Sequence, residues 1–181
     1  MEEAKPSQQK SNPTIDHQPT NHQPANKKIH FISLGCPKNL VDSEIMAGTL
    51  VQNGFEIVGE AEQSGTVIIN TCGFIEDSKK ESIDRILEMS QLKESGQIGR
   101  LVVAGCLTQR YREDLVTELP EADIFVGSGE FQNIATILSD HQAGNPAKTF
   151  FNLPTFLQRE NTPRVNSQPR HRAYLKISEG C

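Results

Sequence analysis

The sequence predicts an α/β fold in which helices cover both faces of an open, mainly parallel β-sheet. Three observations predict it. Strand-like and helix-like segments alternate about five times between residues 29 and 139. The strand-like segments are continuous apolar runs, which is typical of strands that are buried on both faces. Turn signals such as Asn53-Gly54 and Ser95-Gly96 separate the segments.

The predicted strands are short apolar runs that are bounded by polar or turn residues. The run in 66–70 is the strongest, because Val67, Ile68 and Ile69 are consecutive. In chain order, the predicted strands are 29–34, 55–58, 66–70, 101–104 and 124–126.

The predicted helices have apolar residues three or four positions apart. In chain order they are 40–52, 76–92, 108–119 and 130–138. Helix 76–92 has the clearest pattern, with Ile83, Ile86 and Leu87 as its apolar stripe. Asp42, Ser43 and Glu44 would open the first helix, where acids complement the helix dipole. Right-handed crossovers between the parallel strands then give a doubly wound, Rossmann-like layer.

Composition divides the chain into four parts. Residues 1–28 are rich in Gln, Pro and Asn, so we expect a disordered tail. Residues 29–139 form the α/β domain. Residues 140–172 contain four prolines and a basic trio, Arg164, Arg170 and Arg172, and they are predicted to be a linker with solvated charges. Residues 173–181 begin a further domain, with 173–178 as its opening strand.

The charge and cysteine content exclude several classes of protein. Residues 29–139 contain eight Lys and Arg against seventeen Asp and Glu, a net charge of −9, so we expect no nucleic-acid contact from this region. No apolar window is long enough to span a membrane, and residues 1–28 lack the apolar stretch that is expected of a secretory signal. The four cysteines are widely spaced, unlike those of a secreted disulfide scaffold. We therefore expect a cytoplasmic protein with reduced thiols.

Three of these cysteines come directly after a predicted strand. They are Cys36, Cys72 and Cys106. Because parallel strands present their carboxyl ends at the same edge of a sheet, we expect the three thiols to lie close together. Each has a glycine beside it, which lets a ligand approach the backbone. A helix follows each thiol, and its N-terminal N–H groups favour negative charge on sulfur. We expect Lys38, Asn70 and Thr71 to donate hydrogen bonds or charge to sulfur.

Soft thiolates are typical ligands of zinc, copper(I) and iron–sulfur clusters. Structural zinc sites often contain Cys-x₂₋₄-Cys pairs or histidines. The sequence has no such pair and no histidine near these cysteines, which argues against a structural zinc site. Three cysteines would leave a [4Fe–4S] cluster with one iron that has no protein ligand. Such an open iron is a site at which a reaction can occur. The residues alone leave three interpretations open: an iron–sulfur site, structural cysteines that pack as small hydrophobes, and zinc.

The three cysteine motifs together resemble a known family. "SLGCPKNLVDSE", "NTCGFIEDSKKESI" and "VAGCLTQRY" are similar to the N-terminal domain of the radical SAM methylthiotransferases. The resemblance implies that Cys36, Cys72 and Cys106 ligate an auxiliary [4Fe–4S] cluster whose open iron carries the transferred sulfur. "GCPKNLVDSE" resembles the RimO branch, which methylthiolates an aspartate of ribosomal protein S12 in the small subunit. The tRNA-modifying MiaB branch has Gln-Met-Asn where this chain has Pro37-Lys38-Asn39.

The last residues extend the resemblance. In the family "ISEGC" opens a Cys-x₃-Cys-x₂-Cys motif that holds a second [4Fe–4S] cluster, which cleaves S-adenosylmethionine. Cys181 matches the first ligand of that motif and is the final residue of the sequence. We therefore expect this chain alone to be inactive. A MiaB-like fragment, a stand-alone iron–sulfur domain that serves a separate radical SAM chain, and a Rossmann-like binding module with structural cysteines remain alternatives. The sulfur donor is not identified by the sequence.

Overall fold

The computed structural model describes residues 27–178. The expectation of a disordered tail over 1–28 therefore falls, up to residue 26, outside the described residues. The same holds for Cys181, the predicted first ligand of a second cluster.

One parallel sheet is the centre of the described structure. Its strands are β1 (Lys28–Ser33), β2 (Glu56–Val58), β3 (Thr66–Thr71), β4 (Arg100–Gly105), β5 (Ile124–Gly127) and β6 (Thr149–Phe150). Within residues 27–178 they form a six-stranded sheet in the order β2-β1-β3-β4-β5-β6. Every neighbouring pair in this sheet is parallel.

Helices cover both faces of the sheet. They are α1 (Pro37–Gln52), α2 (Glu76–Glu94), α3 (Cys106–Glu118) and α4 (Ile134–Gln142). Apolar residues of α1 and α4 pack with Ile68 and Val102 on one face. Those of α2 and α3 pack with Val67 and Val103 on the other. Because successive side chains of β3 and β4 point to opposite faces of the sheet, these strands contribute to two separate hydrophobic cores. The predicted fold class is confirmed.

Some elements differ from the prediction. Helix α1 begins at Pro37, three residues before the predicted start, because proline suits the first helical position, where its missing N–H is not needed. Strand β6 lies inside the predicted linker and pairs with β5, so this segment is partly ordered by the sheet. No strand is assigned to 173–178, although an opening strand was predicted there.

The apolar stripe predicted for α2 is only partly right. Ile86 is buried, but Ile83 and Leu87 are 37% and 42% exposed. The buried face of the helix instead runs through Ser82, Ile86 and Met89. A serine thus lies on the buried face of α2, which the hydrophobic pattern did not indicate.

The strand order reverses between β1 and β3. From β1 the chain moves outward to β2, then crosses to the opposite side for β3 and continues to β6. In an open parallel sheet, such a reversal leaves a crevice at the carboxyl ends of the two strands, where ligands bind. The fold therefore places a crevice at the ends of β1 and β3. Within residues 27–178, no helix has the length and apolar character needed to cross a membrane.

Candidate functional site

The three predicted thiols lie at the carboxyl ends of three adjacent strands. Cys36 follows β1 and immediately precedes the first residue of α1, Cys72 directly follows β3, and Cys106 is the first residue of α3 after β4. All three line one surface cavity of about 720 Å³, which we call the thiol cavity. Cys72 is only 6% exposed, whereas the other two are half-buried. The topology thus brings together residues that lie up to seventy positions apart in the sequence.

Gly35 lets the first thiol loop lie directly against the second. Its φ of +85° is in the left-handed region that favours glycine. A Cβ added there would lie 2.9 Å from Cys72 Sγ and even closer to Cys72 Cβ. Any side chain at this position would therefore displace Cys72, and the glycine is needed for the close approach of the loops.

A buried amide network holds the ends of β1 and β3 to the start of α1. The Asn39 side-chain amide donates toward three carbonyl oxygens, those of Leu34 (2.7 Å), Asn70 (3.1 Å) and Thr71 (3.3 Å). In return, the Asn70 amide donates to the Asn39 carbonyl (2.8 Å) and to Ser43 Oγ (2.9 Å). Since a buried polar group is costly unless it is paired, this mutual pairing fixes the geometry of the first two thiol loops.

The network corrects one sequence expectation. Asn70 and Thr71 were expected to donate to sulfur. The Asn70 amide instead bonds α1, and Thr71 Oγ1 donates to the Ala104 carbonyl of β4. Both side chains are buried in the sheet edge, where they join strands and helix. Lys38 does line the thiol cavity beside Cys36, as expected of a charge near sulfur.

The backbone of Cys72 is held by one hydroxyl group. Ser82 Oγ accepts the N–H of Cys72 at 3.2 Å and donates to the carbonyl of the same residue at 3.1 Å. Arg110 of α3 donates to the carbonyl of the next residue, Gly73, at 3.1 Å. The sequence analysis missed both contacts. Ser82 has no motif signal, since one serine in a helix is unremarkable by composition.

The segment after β6 docks on α1 through a buried carboxylate. Glu44 Oε2 accepts hydrogen bonds from Arg164 Nε (2.8 Å) and Nη2 (2.5 Å). Glu44 Oε1 accepts from the N–H (2.8 Å) and the hydroxyl (2.6 Å) of Ser167. Gly48 lies one turn further along α1. Its missing side chain lets the backbone of Pro163 approach the helix, because an added Cβ would lie 2.6 Å from the carbonyl carbon of Pro163.

This docking corrects two predictions. Asp42 and Glu44 do not cap α1, since the helix begins at Pro37 and they lie in its second turn. Asp42 accepts a bond from Lys176 Nζ at 2.7 Å, and Glu44 binds Arg164. Arg164 is therefore not a solvated linker charge.

The same contacts set the pKa of Glu44. Burial raises this pKa, but the hydrogen bonds from Ser167 and Arg164 outweigh the effect of burial, so the pKa lies below its ordinary value.

The donor set fits an iron–sulfur cluster in kind. Three thiols share one cavity at a crevice of the sheet. Gly35 approaches Cys72 without a side chain, and Gly73 packs closely against the backbone of Leu107, the residue after Cys106. Within the described range, no three His, Cys, Asp or Glu side chains are grouped so that they could hold a single metal ion. A four-iron cluster sets a different requirement, because each cysteine ligand binds a different iron atom.

Known proteins share this region. A family model described as "Uncharacterized protein family UPF0004" matches residues 28–127. The ribosomal protein uS12 methylthiotransferase RimO of Bdellovibrio bacteriovorus is 76% identical over 156 residues, which are 86% of this chain and 34% of that protein. The protein of the same name from Trichlorobacter lovleyi is 47% identical over 157 residues, 87% of this chain and 35% of that protein. The chain thus spans about a third of the length of these curated relatives.

Proposed function

Because the chain belongs to the family described as UPF0004, we propose that it is the cluster-bearing N-terminal part of a radical SAM methylthiotransferase. The proposed reaction is methylthiolation of an aspartate of ribosomal protein uS12. Two observations support the proposal: the relatives are uS12 methylthiotransferases by name, and three thiols converge on one cavity. The thiol cavity is the observation that carries the proposal.

Cys36, Cys72 and Cys106 are the proposed ligands of an auxiliary [4Fe–4S] cluster. When bound, such a cluster would supply an open iron that carries the sulfur to be transferred. The protein's own contribution is positional. The Asn39–Asn70 network orients the first loop, Ser82 fixes the backbone of Cys72, and the N-terminus of α3 presents N–H groups beside Cys106.

The proposal also divides the chain. Residues 29–139 form the cluster-bearing domain, and 140–172 connect it to a radical SAM domain that begins near residue 173. Cys181 is proposed as the first ligand of the S-adenosylmethionine-cleaving cluster. The compartment would be the cytoplasm, where thiols stay reduced and the small ribosomal subunit is available.

Anaerobic reconstitution with iron and sulfide tests the cluster. We expect the wild type to bind about four iron atoms at the auxiliary site and to absorb visible light. Cys72→Ala should lose this absorption, because one of three ligands is removed. Cys181→Ala is the matched control and should retain it. Wild-type protein that binds no iron would leave a binding module with structural thiols, and zinc that resists exchange would identify a zinc site.

A second experiment tests the substrate. The part of the Bdellovibrio relative beyond the matched region is supplied in trans with S-adenosylmethionine, and ribosomal protein and tRNA are analysed by mass spectrometry. The expected product is uS12 with an added methylthio group on aspartate. Methylthiolated tRNA together with unmodified uS12 would contradict the substrate assignment and favour the tRNA-modifying branch.

A further inference from the structure

A second cavity adjoins the thiol cavity. Its volume is about 320 Å³, and we call it the cationic cavity. It shares five lining residues with the thiol cavity: Cys36, Lys38, Asn39, Phe74 and Cys106. A ligand in the cationic cavity would therefore lie beside two of the three thiols that are the proposed cluster ligands.

The charge of the cationic cavity is opposite to that of its domain. Lys38, Arg110 and Lys176 line it, against one carboxylate, Asp42. That carboxylate accepts a bond from Lys176 at 2.7 Å. Residues 29–139 as a whole have a net charge of −9. Because a concave surface focuses the field of its own charges, the cavity is a local attractor for an anion on an acidic protein.

The three cations come from three different parts of the fold. Lys38 lies in the first turn of α1, two residues after Cys36. Arg110 of α3 donates to the carbonyl of Gly73 at 3.1 Å, next to Cys72. Lys176 lies over the ring of Phe131 at 5.3 Å from its centre, in addition to its bond with Asp42. Lys38 and Arg110 thus lie on the helices that follow two of the thiol loops, and Lys176 joins them from the C-terminal segment.

We propose that the cationic cavity binds the side-chain carboxylate of an aspartate in the protein substrate, and that Lys38 and Arg110 recognise it. The proposal rests on the proposed function and names the subsite that function needs. A guanidinium group matches a carboxylate in planar geometry, and an ammonium group adds a point charge. The aspartate would then lie beside Cys36 and Cys106, at the edge of the proposed cluster.

The size and setting of the cavity favour a protein side chain over a nucleic acid. A volume of about 320 Å³ is near the lower end of ligand pockets and suits one side chain with its backbone. Nucleic-acid binding needs a basic face that extends along several phosphates, which this acidic domain does not provide between residues 29 and 139. Phe74, which is 64% exposed at the rim, offers an apolar contact to the neighbouring peptide.

Peptide binding by the reconstituted chain of residues 1–181 tests the proposal. The probe is a fluorescein-labelled peptide of ribosomal protein uS12 that contains the acceptor aspartate, and its partner has asparagine at that position. Binding is measured by fluorescence anisotropy. We expect the aspartate peptide to bind roughly tenfold more tightly than the asparagine peptide. This ratio corresponds to the free energy of about one charge-assisted hydrogen bond. Arg110→Gln and Lys38→Gln should each remove most of this preference.

Arg85→Gln is the matched control, because it removes one positive charge from an exposed ion pair with Glu88 on α2, outside the cationic cavity. It should keep the full preference for aspartate. Equal binding of the two peptides by the wild type, or binding of neither, would overturn the proposal. So would a single-stranded RNA oligonucleotide that binds more tightly than the peptide and depends on Lys38 and Arg110.

Iron content separates this proposal from the one on which it rests. It is measured on every variant in the same preparations. Wild-type protein that binds iron but does not distinguish the peptides would refute the carboxylate subsite and leave the cluster proposal standing. Protein that binds no iron but still prefers the aspartate peptide would refute the cluster proposal and leave the carboxylate subsite standing.

Discussion

Gly105 shows at the scale of one residue how the site depends on backbone freedom. Its φ of 98° and ψ of −154° lie in a region that is essentially confined to glycine. A Cβ added there would lie 2.6 Å from the Thr71 carbonyl oxygen and closer still to the Asn70 side chain. We expect Gly105→Ala to lower the free energy of unfolding, measured with urea, and to reduce iron incorporation.

Gly96→Ala is the control for this prediction. Gly96 also has a positive φ, of 77°, but no atom lies within 4 Å of an added Cβ. Its substitution should cost about 1–2 kcal/mol from backbone strain alone and leave iron incorporation unchanged. If the two alanine variants behave alike, the close packing at Gly105 is not important for the site.

Ser82 gives a second prediction at this scale. Ser82→Ala removes the hydroxyl that bonds both the N–H and the carbonyl of Cys72 in a buried environment. We expect a loss of about 1–3 kcal/mol in the free energy of unfolding, because buried polar groups lose their partner. Ser95→Ala, at an exposed helix end, should change the urea midpoint much less. Equal losses in the two variants would argue against a special role of Ser82.

Individual residues also show the limits of sequence analysis. The convergence of Cys36, Cys72 and Cys106 could be predicted because each follows a strand. Parallel strands place their carboxyl ends at the same edge of the sheet. The contacts of Ser82 and Asn39 could not be predicted, because their partners are backbone groups that lie ten and up to thirty-two positions away. The expected roles of Asn70 and Thr71 were wrong for the same reason: adjacency in sequence to a cysteine does not decide which way a hydrogen bond points.

At the scale of elements, the docking of residues 163–167 on α1 should depend on pH. The pKa of Glu44 lies below its ordinary value of 4.5 in the folded chain. A lowered carboxylate pKa contributes stability that is fully present above the unfolded value and is lost as the pH falls through the folded value. Relative to Glu44→Gln, we expect wild-type protein to be more stable at pH 7 and to lose this advantage progressively below about pH 4.5.

Urea unfolding at several pH values measures this difference. The Glu60→Gln variant is the control, because it removes one carboxylate that is exposed and lies outside the docked segment. An advantage of the wild type over Glu44→Gln that stays constant down to pH 3 would show that the carboxylate charge does not hold the segment.

Elements were predictable where apolar runs are continuous and less so elsewhere. The five predicted strands correspond to β1 to β5. The sequence pattern is clearest for β3, β4 and β5, whose residues are almost all buried, and weaker for β2, a partly exposed strand at the edge of the sheet. Strand β6 was missed, since two residues in a proline-rich segment give no pattern of their own and pair only because β5 offers an edge. The ion pair of Glu44 with Arg164 joins residues 120 positions apart, which no local pattern reveals.

For the whole molecule, cluster binding should couple three loops that are separate in sequence. A ligand that binds only the folded state raises the melting temperature. We expect anaerobic reconstitution to raise the Tm of the wild type by about 5 °C or more, as measured by circular dichroism. Cys181→Ala should show the same rise and Cys36→Ala none. A rise that survives in Cys36→Ala would mean that iron binds elsewhere.

The most direct measurement is a crystal structure of the reconstituted protein with diffraction data collected at the iron absorption edge. We expect one iron cluster in the thiol cavity, with the sulfur atoms of Cys36, Cys72 and Cys106 each bonded to a different iron. Iron bound away from the ends of β1, β3 and β4, or any one of these sulfur atoms turned away from the metal, would contradict it.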